Sequence, residues 1–329
     1  MDPLVTVCVL VHNGEAFLKD ALDSLLAQTY TNFELIILDN HSTDGTQEIY
    51  KKYNDTRLRV IRHKKNIGPF ENLNQAIIAG KGDYLAIFHD DDTYEPTILA
   101  EHVSILEAHP DVMCVYSQAY ALDASGARTG EQNSPPELLD RELSYGEVLK
   151  HIVKTQQSPF ITPSLLARRA AFRTTGKFEK KYGMALDVDM HLKLTKAGKT
   201  WISSERLMNY RHSDGQYSIN YSTTYEEPNV LFSILDDHLF AAGMSPSRSY
   251  EAHRDWDYSI CAINILAKDD VSSEDKKKAR QYLRKSLTFR RLLDPFLPIT
   301  VAMCVLAHLG LGTWLATKIN KRRWERHLQ

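Results

Sequence analysis

Along the first 120 residues, short β-rich apolar runs alternate with stretches whose apolar positions recur every three or four residues. That is the pattern of βαβ units built around a mostly parallel sheet. Strands are predicted over residues 5–11, 33–38, 58–62, 84–88 and 112–116, and their near-continuous apolar runs fit strands covered on both faces. Between the first two, residues 15–28 carry Phe17, Leu18, Ala21, Leu22, Leu25 and Leu26 on one helical stripe. Asp44 and Gln47 resemble a capping box that opens a helix over 46–52. The loop 39–44 and the tetrad His89-Asp90-Asp91-Asp92 then follow strands two and four, at the edge where open α/β sheets bind ligands. A helix is expected to begin near Pro96.

Residues 124–145, rich in Gly, Ser, Pro and charge, read as a long surface excursion. Order returns with a strand over 163–167, a helix over 189–197 and a strand over 207–211, and residues 222–290 are mainly helical with a solvated charged segment at 272–285. The expected organisation is an α/β domain over 1–220, a helical accessory region over 221–294 and a tail over 295–329. No Asp, Glu, Lys or Arg occurs within 295–317, which is bracketed by Arg290 and Arg291 on one side and Lys318 to Arg326 on the other. About 20 apolar residues can cross a bilayer, and basic flanks also suit a helix lying in an anionic interface. His308, Pro295 and Pro298 keep a core-packed helix open as the alternative.

Composition narrows the class. At 329 residues and 43% hydrophobic the chain can bury a large core, and its net charge of -2 gives no overall attraction to nucleic acid. Cys8, Cys114, Cys261 and Cys304 stand singly among apolar neighbours, without metal-ligand spacing, and read as buried thiols in a reducing compartment. The first residues lack the pattern of a signal peptide, so the expected location is the cytosol, at the cytoplasmic face of a membrane.

Three adjacent carboxylates repel unless a cation or solvent relieves them. Placed after a buried strand, Asp90-Asp91-Asp92 suits a hard divalent ion such as Mg²⁺ or Mn²⁺, with a solvated turn capping the next helix as the plainer alternative. A phosphatase DxDxT arrangement fails because Thr93 directly follows the third aspartate, and a nucleotidyltransferase would need a Gly-rich basic loop where the chain has His12-Asn13-Gly14-Glu15. Asp187 and Asp189 lie at a helix start about 200° apart, so one is expected to act as base and the other as cap. His212 supplies an imidazole just after a strand.

The run 5–13 (VTVCVLVHN), then 22–30 (LDSLLAQTY) and 34–46 (ELIILDNHSTDGT), resembles the amino-terminal half of family 2 glycosyltransferases with the GT-A fold. Asn66-Ile67-Gly68, Asn74-Gln75-Ala76, residues 79–84 (AGKGDY), the Asp triplet with Pro96 and Tyr210-Arg211-His212 follow in the same order, so the likeness covers residues 4–220. It implies a Rossmann-like, mostly parallel α/β sheet flanked by helices, with a helical C-terminal extension. It also implies that Asp39 contacts the nucleotide base beside His12, Asn13 and Asn66, that Asp90 contacts the donor, that Asp91 binds metal with His212 near it, and that Asp187 is the catalytic carboxylate. Asp189 is the competing choice. Three positions depart from the family pattern: His89 stands at the first acid of a DxD, Leu186 replaces a Glu and Asn40 an Asp.

The implied reaction is metal-assisted, inverting transfer of a sugar from a nucleotide-diphosphate donor to a hydroxyl of a glycan or lipid-linked acceptor, as in polysaccharide biosynthesis. A carboxylate removes the acceptor proton, and the metal stabilises the leaving diphosphate. The alternative is a nucleotide-sugar-binding protein without turnover.

Overall fold

The computed structural model describes residues 2–212, 228–266 and 271–286. The chain divides into two compact units, residues 1–216 and 217–329. In the first, the elements run β1 (Val5–Val11), α1 (Leu18–Leu26), β2 (Phe33–Asp39), α2 (Thr46–Tyr50), β3 (Leu58–Arg62), α3 (Pro69–Ala79) and β4 (Tyr84–His89). They continue with β5 (Thr93–Tyr94), α4 (Ile98–Ala108), β6 (Val112–Leu122), β7 (Arg128–Gln132), β8 (Glu142–Leu143) and α5 (Tyr145–Thr155). After a 3-10 turn at Thr162–Ser164 come β9 (Leu166–Arg168), α6 (Arg169–Thr175), α7 (Leu186–Ala197) and β10 (Lys199–Arg211).

The strands form one sheet in the order β3-β2-β1-β4-β9-β6-β10-β5, with β7 paired to β6 and β8 to β10. β3, β2, β1 and β4 are mutually parallel, as are β6 and β10. β9 is inserted antiparallel between the two parallel groups, pairing Ala167 with both Leu85 of β4 and Cys114 of β6. Val5, Val7, Val9, Leu35, Ile37, Ala86 and Phe88 form the core with Leu18, Leu22 and Leu25 of α1. Burial of this apolar surface is the main driving force for the fold.

Several elements differ from the sequence pattern. The 163–167 strand is a 3-10 turn followed by β9, because Pro163 cannot donate to a sheet ladder and sits at the second position of the turn. The surface excursion contains β7 and β8. β10 extends far upstream of residue 207, with irregular register between Ile202 and Arg206 that breaks the alternation of its side chains. α7 begins at Leu186 with Ala185 as N-cap, so Asp187 and Asp189 both lie in its first turn and neither caps it. Asp44 closes no capping box with Gln47; α2 is capped at Gly45, and the Asp44 carboxylate instead accepts from the N–H groups of Glu15 and Thr46.

The second unit contains α8 (Val230–Ala241), α9 (Arg248–Leu266) and α10 (Ser273–Ser286). Ala262, Ile265 and Ala279 join α9 to α10, and Tyr250 of α9 donates to Phe232 O of α8 at 3.1 Å. Among the described residues no helix is long and apolar enough to cross a membrane. The apolar segment 295–317, Cys304 and the tail to 329 lie outside the described residues.

Candidate active site

The site is built where the carboxyl ends of β1, β2 and β4 meet. After β1 and β2 the chain turns through left-handed conformations at Asn13 (φ 56°) and His41 (φ 63°). The two loops are then clasped together: Asn13 N–H donates to Ser42 Oγ at 3.0 Å, Thr43 N–H to Asn13 Oδ1 at 2.8 Å and Gly14 N–H to Thr46 Oγ1 at 2.9 Å. Asn66, in the loop before α3, accepts from Asn40 Nδ2 at 3.0 Å and from Gly68 N–H at 2.7 Å, while its own amide lies 3.1 Å from His12 Nε2. His12, Asn13 and Asn66 are exposed on this edge and form one polar rim.

Asp39 behaves differently from its neighbours. It has no exposed surface, and its carboxylate accepts from Ser42 N–H at 2.8 Å, Tyr50 Oη at 3.1 Å and Arg62 Nε at 3.1 Å. Three donors around one buried carboxylate organise the loop after β2. The neighbouring exposed groups of the rim are the ones open to a ligand.

The acidic turn after β4 is sharply bent. β5 follows immediately and pairs antiparallel with Met208 and Asn209 of β10, so the turn is folded against the end of that strand. Arg211 N–H donates to Asp92 Oδ1 and its Nε to Asp91 O, both at 2.9 Å, while its guanidinium lies 4.6 Å from the centre of the Phe17 ring. His89, Asp91 and Asp92 each bring one ligand atom within 4.8 Å of the others. Asp92 is 1% exposed, and its Oδ2 has no hydrogen-bond partner.

Crowding of carboxylates in a poorly solvated place penalises the charged forms. Burial, reinforced by the charge of Asp91, pushes Asp90 up to about 8 and Asp92 well above the carboxylate range. A divalent cation would relieve that penalty, and the orphaned Asp92 oxygen beside an imidazole and a second carboxylate fits one. His212, at the end of β10, is not in that cluster: its backbone N–H donates to Leu122 O at 2.8 Å and its exposed ring lies 3.0 Å from Gln132 Nε2.

The 3-10 turn at Thr162–Ser164 precedes β9. Because β9 runs antiparallel to β4, this turn sits beside the carboxyl end of β4. Thr162 Oγ1 donates to Asp187 Oδ2 at 2.9 Å, which brings the first turn of α7 to the same edge as the acidic turn. Asp189 takes another direction: it is 1% exposed and paired with Lys193 Nζ at 2.7 Å, and Lys193 also donates to Glu179 at 2.7 Å.

Of the residues singled out from the sequence, His12, Asn13 and Asn66 share a rim, Asp90 and Asp91 lie on the acidic turn and Asp187 joins that edge through Thr162. Asp39 and Asp189 are held inside the protein. His89, Arg211 and Thr162 were not assigned roles from sequence, and Asp92 was read only as part of the acidic triplet or as a helix cap. The register of Asp92 with Arg211 spans 119 residues, a separation over which local patterning carries no signal.

The family model for Glycosyl transferase family 2 matches residues 6–176, more than half of the chain. A putative glycosyltransferase of Bacillus subtilis, EpsE, is 27% identical over 234 residues, covering 70% of this chain and 80% of that one. In Escherichia coli, WfaP, a UDP-Glc:alpha-D-GlcNAc-diphosphoundecaprenol beta-1,3-glucosyltransferase, is 32% identical over 148 residues, covering 45% of this chain and 56% of that one. Among solved structures, S. aureus TarS in complex with UDP superposes with a TM-score of 0.60 at 17% identity, covering 98% of this chain and 91% of that one. The mannosyltransferase PcManGT of Pyrobaculum calidifontis, in complex with GDP-Man and Mn²⁺, gives 0.51 at 16% identity, covering 94% and 87%.

Proposed function

Since the chain belongs to glycosyl transferase family 2 and is a glycosyltransferase of GT-A fold, we propose that it transfers a sugar from a nucleotide-diphosphate donor to an acceptor hydroxyl with inversion at the anomeric carbon. The observation that carries this reading is the meeting of the acidic turn and Asp187 at one edge of the sheet. In this reading His12, Asn13 and Asn66 receive the nucleotide, Asp90 orients the donor, and Asp39 holds the loop that shapes the rim.

Asp187 takes the proton from the acceptor hydroxyl. Asp189, engaged by Lys193, keeps α7 in place. His89, Asp91 and Asp92 would hold a divalent metal, Mn²⁺ or Mg²⁺, which when bound supplies charge stabilisation to the departing diphosphate. His212, exposed beyond the end of β10, donates a hydrogen bond to the same leaving group.

The E. coli relative acts, by its name, on a sugar linked to diphosphoundecaprenol. We extend that acceptor class to this chain: a lipid-linked or cell-surface glycan precursor, met at the cytoplasmic face of a membrane that residues 295–329 contact. The test is to incubate purified protein with UDP-, dTDP- and GDP-sugars and Mn²⁺, with and without a lipid-linked acceptor, and to measure nucleoside diphosphate release and the anomeric configuration of the product. Donor binding without release would make it a nucleotide-sugar-binding protein, and a retained configuration would remove Asp187 as an inverting base.

A further inference from the structure

Asp187 is held by two hydrogen bonds, Thr162 Oγ1 to Oδ2 at 2.9 Å and Val188 N–H to Oδ1 at 2.8 Å. The first comes from a separate element that is itself fixed. Pro163 locks one backbone angle of the 3-10 turn. Ser164 Oγ accepts from the N–H of fully buried Ser117 on β6 at 3.0 Å and lies 2.7 Å from Ile161 O, to which it donates. The turn is therefore stapled to the centre of the sheet, and a β-branched threonine on it has few rotamers to sample.

Behind Asp187 the surroundings are aromatic. Tyr116 and Phe160 stack at 4.4 Å, and His191, one helical turn beyond Asp187, meets them edge-on at 5.1 and 5.2 Å. Among the described residues, Tyr116 and His191 are titratable groups whose ionisation the Asp187 charge influences. Neither is charged at neutral pH: burial pushes the His191 imidazole down to about 4 and the Tyr116 phenol far up. Among the described residues, Thr162 is the side chain that donates a hydrogen bond to Asp187.

From this geometry we propose that Thr162 is a positioning residue for the catalytic base, its hydroxyl fixing the Asp187 carboxylate at the angle from which the acceptor proton is removed. The inference rests on the reading of Asp187 as base. A carboxylate at a helix start can turn about two side-chain bonds, and misplacing a reacting group by about 1 Å costs ~10²-fold in rate. Thr162 engages one lone pair of Oδ2 and leaves the other for the acceptor.

Thr162→Val keeps the shape and removes the hydroxyl. The expected result is a kcat for transfer lowered ~10- to 100-fold, with donor KM and the melting temperature unchanged and with most of the rate restored in Thr162→Ser. In an Asp187→Asn background the same valine substitution should change the residual rate little, since the group it positions is gone. Wild-type kcat in Thr162→Val, a loss shared equally by donor KM, or full additivity with Asp187→Asn would overturn the proposal. An Asp187→Asn variant with full activity would instead remove the base assignment, and an inactive one beside a fully active Thr162→Val would remove this inference alone.

Discussion

A methyl group on Gly14 would overlap Oδ2 of Asp90 and come within 2.6 Å of Val11 Cγ2. The loop after β1 is thus packed directly on the acidic turn after β4, and only a hydrogen atom separates its backbone from the carboxylate. Gly14→Ala should displace Asp90 or the loop. Overpacking of this kind costs ~1–3 kcal/mol, so the variant should fold with a lowered melting temperature. Its donor affinity, measured by calorimetry with a nucleotide-sugar, should fall at least about tenfold, the equivalent of ~1.4 kcal/mol of lost binding. Unchanged affinity would show that the close approach of the two turns is unimportant to the donor.

The metal reading makes a ranked prediction. Asp91→Ala and His89→Ala should both weaken Mn²⁺ binding, followed by electron paramagnetic resonance of the free ion, because both side chains belong to the cluster with converging ligand atoms found among the described residues. His212→Ala should leave Mn²⁺ affinity nearly unchanged and lower turnover, since its ring lies beside Gln132 outside that cluster. A His212 variant that loses Mn²⁺ while the His89 variant keeps it would reverse the assignment.

Asp187 and Asp189, two residues apart, should fail in different ways. Asp187→Asn keeps the size of the side chain but loses basicity, so donor binding should persist while kcat falls ~10²- to 10⁴-fold. Asp189→Asn takes the charge from a carboxylate that is 1% exposed and leaves Lys193 with Glu179 as its remaining anionic partner. Weakening one charge-assisted hydrogen bond of this kind costs about 1–3 kcal/mol, so the second variant should melt earlier and, below that temperature, turn over at close to the normal rate. Wild-type stability for Asp189→Asn together with lost turnover would identify it as the base.

β1, β2 and β4 were legible because burial on both faces demands unbroken apolar runs. β3 is a half-exposed edge strand marked by Leu58, Val60 and Ile61 between arginines, and the starts of all four were read to the residue. β6 continues to Leu122 where the pattern stops at Tyr116. Gln118, polar yet 2% exposed, is satisfied by Ser203 and Ser134, and the backbone N–H of fully buried Ser117 by Ser164 Oγ, partners that only the fold brings near. The site shows the same division. The acidic turn could be read from three adjacent carboxylates, whereas Thr162 carries no sign of its role because Asp187 stands 25 positions away. Asp39, a base contact by the resemblance, is also enclosed by three donors from residues 42, 50 and 62, an arrangement that its local sequence does not announce.

Two buried histidines set a pH limit on stability. Both ring nitrogens of fully buried His102 lack hydrogen-bond partners, and burial pushes its imidazole down to about 3, as it pushes His191 to about 4. In the unfolded chain both titrate near about 6.5. Below that pH the unfolded state binds protons that the folded state refuses, so their contribution is complete above about pH 6.5 and is lost as the pH falls towards 4. The slope is ~1.4 kcal/mol per pH unit for each histidine. His102→Leu removes one such group without breaking a hydrogen bond. Its stability relative to wild type, from denaturant titrations at pH 7 and pH 5, should improve on acidification, with the raised carboxylates common to both proteins cancelling. An unchanged difference would mean that His102 takes up its proton in the folded state.

The tail makes the last prediction, and it follows from charge and length alone. Residues 295–317 contain no Asp, Glu, Lys or Arg, while Arg290 and Arg291 precede them and Lys318, Lys321, Arg322, Arg323 and Arg326 follow. Each cation near an anionic bilayer surface contributes about 1 kcal/mol, which adds to the burial of the apolar stretch. An enzyme whose acceptor is confined to a membrane gains effective concentration by residing there. The full chain should therefore float with vesicles containing phosphatidylglycerol, and float less with neutral phosphatidylcholine. Replacing Lys321, Arg322 and Arg323 by glutamate should weaken the association, and raising the salt should do the same because the electrostatic part is screened. Deleting residues 292–329 should abolish flotation and leave hydrolysis of a soluble nucleotide-sugar intact. Failure of the full chain to float, or loss of hydrolysis and of the melting transition on truncation, would assign the segment to the protein core.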